Sequence, residues 1–417
     1  MTTEVTHIRS IGTYLPPWCT GSRRVKGPDE DAVTMAVAAG RAADPRATAR
    51  RVVVVSRDFP LIEGGNGAVL LAGLSLPADL PVAEVLGGPP AALDQILSAR
   101  EGTLVVTADD NAGAVGAGAV LVGADGAELS PVARQTRSLP VVARGQDGAR
   151  RSYGDPRLQR EVGIKATVAR LNLTGTPTMA VVAGSKAAQL GVDVDAGAAV
   201  EDPSGSASGL IAALASAIEK GTEGVVLALE QSSATAARLV LGLEQPAVTR
   251  DEAEARELPN TTIVEGVGIP ISLAAYARAF EPKLRWEAKV YDESLDMEAG
   301  PVFPPRTRVE TAGKLATDYC FEPLPRTGTV HTLTTIRILV PDLPSPYSLA
   351  IVQLDDSPVR VLLKITGVPA GELAIGDAGS VVLRKIADRA GIPDYGYEFW
   401  PGRTVPGTTT TSRGAQA

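Results

Sequence analysis

The stretch PVAEVLGGPPAALDQIL, Pro81 to Leu97, sets a short apolar run against a Gly-Gly turn and a Pro-led helical pattern. Proline is tolerated at the first helical positions because the N–H it lacks would have no partner within the helix. Upstream lies RVVVVS, Arg51–Ser56, and downstream TLVVT, Thr103–Thr107. Both runs are continuously apolar rather than alternating, as strands covered on both faces must be. Strand, turn, buried helix, strand is the repeating element of a layered α/β fold. Reading 81–97 as entry turn plus buried helix therefore decides the fold class.

Working outward, the same order recurs. GTLVVTADDNAGAVGAGAVLVG (Gly102–Gly123) follows a helical pattern over Pro90–Arg100, and GVVLALEQSSATAARLVLG (Gly224–Gly242) follows another over Ser206–Lys220. Each runs helix, Gly, apolar strand, polar small-residue hairpin, apolar strand, Gly. This echo predicts a duplicated α/β body, residues 1–165 and 166–285. The segment 286–326 is charged and Pro-rich and reads as a linker. From Thr327 the pattern becomes all-β, with short alternating strands and Gly or Asp turns that suggest a small barrel over 327–403. The low-complexity tail, 404–417, is expected to be disordered.

The chain has 417 residues, 44% of them hydrophobic, enough for two or three packed domains, and its net charge is −8. That balance argues against an extended nucleic-acid surface. No apolar run approaches the ~20 residues of a membrane span, and no basic-then-apolar leader opens the sequence. A cytoplasmic protein, off the membrane, is the expectation. Two cysteines, Cys19 and Cys320, do not suggest a disulfide framework.

IRSIGTYLPPW near the N-terminus, then PDEDAVTMAVAAGRAA, resembles the opening of bacterial and archaeal hydroxymethylglutaryl-CoA synthases. GAGAVLVG and SGSASGLIAALASAIEKG look like further elements of the thiolase superfamily. FPPR (Phe303–Arg306), LPRTGTVHTLTTIR (Leu324–Arg337), PYSLAIVQLDD (Pro346–Asp356) and GDAGSVVLRKI (Gly376–Ile386) resemble the OB-fold family that accompanies thiolase-like proteins, often behind a zinc ribbon. The resemblance implies a duplicated five-layer αβαβα thiolase fold with a C-terminal all-β OB barrel.

In the synthases the resemblance points to Cys, Glu and His, assisted by Asn, for condensation on a thioester. That chemistry needs a nucleophile, a base and oxyanion donors. Matched to VLGGPPAAL, the cysteine position holds Leu86. Matched to SRDFP (Ser56–Pro60), the glutamate position holds Arg57. Matched to VEDPSGS (Val200–Ser206), the asparagine position holds Glu201. The only histidines are His7 and His331, so the body beyond its first strand has none. Conventional thioester exchange on cysteine is therefore not expected at this site.

What stands there instead is charge. Arg57, Asp58, Glu84, Glu201 and Asp202 would gather around the vacated site together with Leu86 and Ser206, and Arg57 would pair with Glu201 or Asp58. One expectation is an enzyme in which Glu201, Asp202 or Asp58 performs acid–base chemistry (aldol or retro-aldol, dehydration, cyclisation) on an acyl thioester delivered by CoA or a carrier protein, with no other cofactor. Others are a non-catalytic partner of an active thiolase or ketosynthase homologue, and a scaffold recruiting acyl-CoA enzymes through its barrel. The charged replacements favour the enzyme, and a homodimer or a heterodimer with a thiolase homologue is compatible with each. Asp109–Asp110 reads as a structural turn, SRRVKG (Ser22–Gly27) as a solvated loop or a CoA-phosphate contact, and Tyr276 as a core position, while the resemblance keeps Tyr276 and Tyr291 open as functional tyrosines. In PPRTRVETAGKLATDYCFEP only Cys320 remains of a zinc-ribbon ligand set, short of the four N or S ligands a structural zinc requires. Elemental analysis of the purified chain is therefore expected to find no stoichiometric zinc; one zinc per chain at full occupancy would contradict this.

Overall fold

Each apolar echo folds into a five-stranded unit. The computed structural model describes residues 5–137, 142–144, 150–264, 281–292, 294–295, 300–341, 343–389 and 391–407. The first unit comprises β1 (Thr6–Leu15), α1 (Ala32–Ala43), β2 (Arg51–Ser56), α2 (Gly67–Gly73), β3 (Val82–Leu86), α3 (Pro89–Leu97), β4 (Thr103–Asn111) and β5 (Ala114–Gly123). The second comprises β6 (Ala127–Thr136), α4 (Pro156–Val162), α5 (Ile164–Ala169), β7 (Met179–Ala183), β8 (Val200–Asp202), α6 (Ala207–Glu219), β9 (Gly224–Leu229) and β10 (Ser233–Val240). Strand order is β3-β2-β4-β5-β1 in one and β8-β7-β9-β10-β6 in the other. Directions match pair for pair: β2 is parallel to β3 and β4 while β5 is antiparallel to β4 and β1. Likewise β7 is parallel to β8 and β9 while β10 is antiparallel to β9 and β6. This topology places β6 in the second unit, so that unit starts upstream of residue 166. The units meet where Thr6–Ile8 of β1 pairs with Ala127–Leu129 of β6.

The continuous apolar runs are explained by layering. Val52 and Val54 of β2 face outward onto α1 and α2, whereas Val53 and Val55 face inward onto α3 and α6. In the second unit Val181 and Ala183 face the same central helices, and Val182 faces outward towards Val168 of α5. Five layers result, with α3 and α6 in the middle. The α1 helix starts at Asp31, whose carboxylate accepts Thr34 N while the Thr34 hydroxyl accepts Asp31 N, a reciprocal cap. Gly12 is required where α1 lies on β1, because a Cβ there would overlap Ala39 O and Ala43 N.

Residues 286–326 contain an antiparallel ribbon, β12 (Glu287–Tyr291) with β13 (Tyr319–Pro323), after β11 (Ala247–Glu252), which pairs in parallel with β1. The Lys289 ammonium lies 3.8 Å from the Tyr319 ring centroid. Beyond it, β14 (Thr327–Ile336), β15 (Tyr347–Leu354), β16 (Arg360–Ile365), β17 (Ala378–Arg389) and β18 (Ile392–Pro401) close into a barrel in the order β14-β15-β16-β18-β17. Residues 408–417 of the expected disordered tail, and Tyr276, lie outside the described residues.

The barrel packs on the outer helices of the first unit, where Leu383, Tyr397, Phe399 and Trp400 share one apolar cluster with Val33, Val37 and Trp286. At the centre of this junction the Arg384 side chain is 2% exposed, with Nε 3.5 Å from Asp29 and Nη2 3.8 Å from Glu30. Tyr14 donates to Glu30 and accepts from Arg384. Thr366 donates to Asp29 at 2.5 Å, Tyr395 donates to Asp31 at 2.7 Å, and Lys364 pairs with Glu398 at 3.2 Å. Buried ions are tolerated only with partners of this kind. Removing the guanidinium would leave Asp29 and Glu30 buried without it, so Arg384→Met is expected to cost about 3–5 kcal/mol in urea unfolding. Burial, reinforced by Asp29 and opposed by Lys364, pushes the Glu398 carboxyl from 4.5 up to about 8. The folded chain then holds a proton that the unfolded chain releases. The stabilisation is complete below about pH 4.5 and disappears as pH climbs through about 8. Thermal unfolding across that window should show this decline, and Glu398→Gln should flatten it.

Candidate functional site

In open α/β sheets ligands bind outside the carboxyl ends of the parallel strands. Here those ends belong to β2, β3 and β4 of one unit and β7, β8 and β9 of the other. Arg57, directly after β2, forms an ion pair with Glu230, directly after β9, so the pair bridges the two units. Both side chains remain about one-third exposed, at 34% and 32%. The pair lies over the start of α3: a Cβ on Gly88, the residue preceding the helix, would overlap both Arg57 Nη2 and Glu230 Oε1.

The head of α6 carries the reciprocal arrangement. Asp109, near the end of β4, is 3% exposed and accepts the Ser208 N–H at 2.7 Å. A carboxylate at a helix N-terminus is favoured by the aligned peptide dipoles. Burial nevertheless raises the Asp109 carboxyl above its ordinary value, with the Ser208 hydrogen bonds pulling the other way. Asp109 in TLVVTAD and Glu230 in GVVLALE hold corresponding positions in the duplicated strands. Each unit thus sends an acid to the central helix of the other.

The residues singled out in the sequence are distributed unevenly around this point. Arg57 is at the site, but its partner across the units is Glu230 rather than the expected Glu201. Glu201 pairs in register with outward-facing Val182, and its carboxylate accepts Ala187 N at 2.9 Å, away from the central layer. Asp202, one residue on, has the opposite orientation and accepts the Ser204 hydroxyl at 2.8 Å. The Ser206 hydroxyl caps α6 by accepting Gly209 N at 3.0 Å. Asp58 accepts Asp110 N at 2.9 Å and Asn111 Nδ2 at 2.8 Å, bracing the β4–β5 hairpin. Glu84 accepts both Asn66 N and Asn66 Nδ2, at 2.5 and 2.9 Å, and so holds the loop before α2.

Leu86 departs most from expectation. In β3 the inward positions are Ala83 and Val85, so strand alternation turns Leu86 outward, where it is 80% exposed. It does not line an enclosed acyl cavity in this chain. Tyr291 is spent on structure, donating to Arg306 O at 2.7 Å and accepting Arg308 N at 3.1 Å. Lys26 of the basic loop pairs with Asp110 at 2.7 Å. His331 lies beside Arg360 on the barrel, with its Nε2 at 3.1 Å. Among the described residues no group of three His, Cys, Asp or Glu side chains stands together as a metal site, and no helix is long and apolar enough to cross a membrane. Glu230 was missed in the sequence, although aligning the two echoes strand by strand would have set it opposite Asp109.

Residues 321–384 match the family model of the ChsH2 C-terminal OB-fold domain. No curated protein sequence matches the chain. Solved structures similar to it include 3-oxoacyl-(acyl carrier protein) synthase III from Pseudomonas aeruginosa PAO1, at 15% identity and a TM-score of 0.44, covering 58% of this chain and 99% of that one. PksG, a hydroxymethylglutaryl-CoA synthase from Bacillus subtilis, is similar at 13% identity and a TM-score of 0.45, covering 57% and 80%. An Ltp2-ChsH2(DUF35) aldolase matches at 18% identity and a TM-score of 0.26, covering 32% and 99%. Residues 321–384 thus match an OB-fold domain of the ChsH2 type, carried on a layered body of two duplicated α/β units.

Proposed function

We propose that the chain is a non-catalytic thiolase-type subunit that completes and shapes the acyl-thioester site of a cysteine-bearing thiolase homologue. One observation carries this reading: the Arg57–Glu230 ion pair stands over the start of α3, against Gly88, two residues after the Leu86 position that the resemblance matches to the nucleophile. Neither group offers a sulfur on which an acyl group could be held as a thioester. The carboxylates considered for acid–base work are engaged elsewhere, Glu201 on Ala187 N, Asp202 on Ser204 and Asp58 on the β4–β5 hairpin. A general acid or base has to reach substrate, which these hydrogen bonds oppose.

The free side of β3 supports the same reading. Among the described residues this strand ends the sheet, and Leu86 and, on the loop after β2, Leu61 are 80% and 102% exposed. An open strand edge flanked by exposed leucines is a template for pairing with another sheet.

The test has two arms. The purified chain, given a panel of acyl-CoA and carrier-bound β-hydroxyacyl thioesters, is expected to show no turnover. Co-expressed with a cysteine-bearing thiolase homologue from the same genome, it should elute as a stoichiometric complex, which Leu86→Lys weakens by at least about tenfold through one buried charge. Turnover by the chain alone, lost in Asp58→Asn or Asp202→Asn, would instead establish the acid–base enzyme. Absence of any complex would overturn the partner reading.

A further inference from the structure

Where the barrel meets α1, two arginines stand close together with no carboxylate between them among the described residues. Arg41, on α1, donates to Gly73 O, to the Ser75 hydroxyl at 3.0 Å and to Gly407 O. Arg326, at the foot of β14, donates through Nη2 to the same Ser75 hydroxyl at 3.3 Å, to Tyr397 Oη at 3.1 Å and to Ala72 O. Its guanidinium lies over the Tyr397 ring. Neither arginine has a carboxylate partner among the described residues.

Arg326 is 6% exposed, so its charge is buried. A guanidinium carries five N–H donors on three nitrogens. Only Nη2 of Arg326 has a protein acceptor among the described residues, which leaves Nε and Nη1 to find one elsewhere. Carbonyls at the C-terminal end of α2 offset part of the charge, as cations at helix C-termini do. They are neutral acceptors and do not balance two cations. Burial and the neighbouring Arg326 push Arg41 down to about 9.

A cavity of about 20 Å³ adjoins both side chains and is also lined by Tyr14, Thr34, Asp251 and Arg384. That is room for one water-sized occupant. Asp251, the one carboxylate among the described residues of its wall, is already engaged by Arg403. Arg384 is matched by Asp29 and Glu30 behind it. The balance at the cavity is therefore cationic.

We propose that this cavity binds a small monovalent inorganic anion, chloride in the cell, held by the guanidinium N–H groups of Arg41 and Arg326. The anion would supply the missing counter-charge and tie α1 of the body to β14 of the barrel, independently of any partner or thioester. Because it binds the assembled junction only, it should stabilise the fold by mass action.

Two measurements decide. In crystals grown or soaked in bromide, anomalous difference density is expected between Arg41 and Arg326. At constant ionic strength, exchanging gluconate for chloride from about 1 to about 100 mM should raise the melting temperature of the full chain. Arg41→Gln, which removes the charge and keeps side-chain N–H donors, should raise the chloride concentration for half-effect at least about tenfold, the loss of one charge-assisted contact. Arg326→Gln should abolish the response; if that variant fails to fold, the bromide map and Arg41→Gln still decide. Water in place of bromide, or equal melting in chloride and gluconate, would overturn the assignment.

Discussion

Arg384 binds together two parts of the chain whose folds are otherwise self-contained. Its guanidinium enters the body from the second-last barrel strand and meets Asp29 and Glu30 just ahead of α1, with Tyr14 between. The apolar seam around Trp286, Phe399 and Trp400 supplies area. Area is non-directional, and the ionic centre fixes the register of barrel on body. The Asp-Glu-Asp string that reads in the sequence as a family signature is, in this chain, the surface on which the barrel sits. Thr366, Tyr395 and Arg384 all converge on it from the barrel side.

The same logic of paired charge governs the opposite side of the first sheet. Arg57 and Glu230 stand over the start of α3, one from each unit. Because each neutralises the other, the helix head is closed without a buried lone ion. The layers themselves are held by apolar residues, Val53, Val55, Leu93 and Leu214 among them.

The fold was largely legible. Unbroken Val runs announced strands covered on both faces, Pro89–Pro90 and Ser206 marked the starts of α3 and α6, and Thr327 marked the change to barrel strands. The site was legible only as a list of replacements. Strand alternation decides which of Glu201 and Asp202 faces the centre, and a one-residue choice of face is invisible in a three-residue strand with no periodicity to read. Leu86 escaped for the same reason at the end of β3. Glu230 escaped because a single acid after an apolar strand looks like an ordinary turn, and its meaning lies in a partner 173 positions away. Arg41 and Arg326 had no motif at all; only the packing of barrel on body brings them to one hydroxyl.

The exchange of acids between the two duplicated units has an evolutionary edge. Asp109 serves the helix of the later unit, and Glu230 stands at the helix of the earlier one. An ancestor made of one such unit would have had to find that acid in a second molecule. Once joined and individually altered, neither unit can be returned to solitary existence without stripping the head of its central helix. The fusion works as a ratchet.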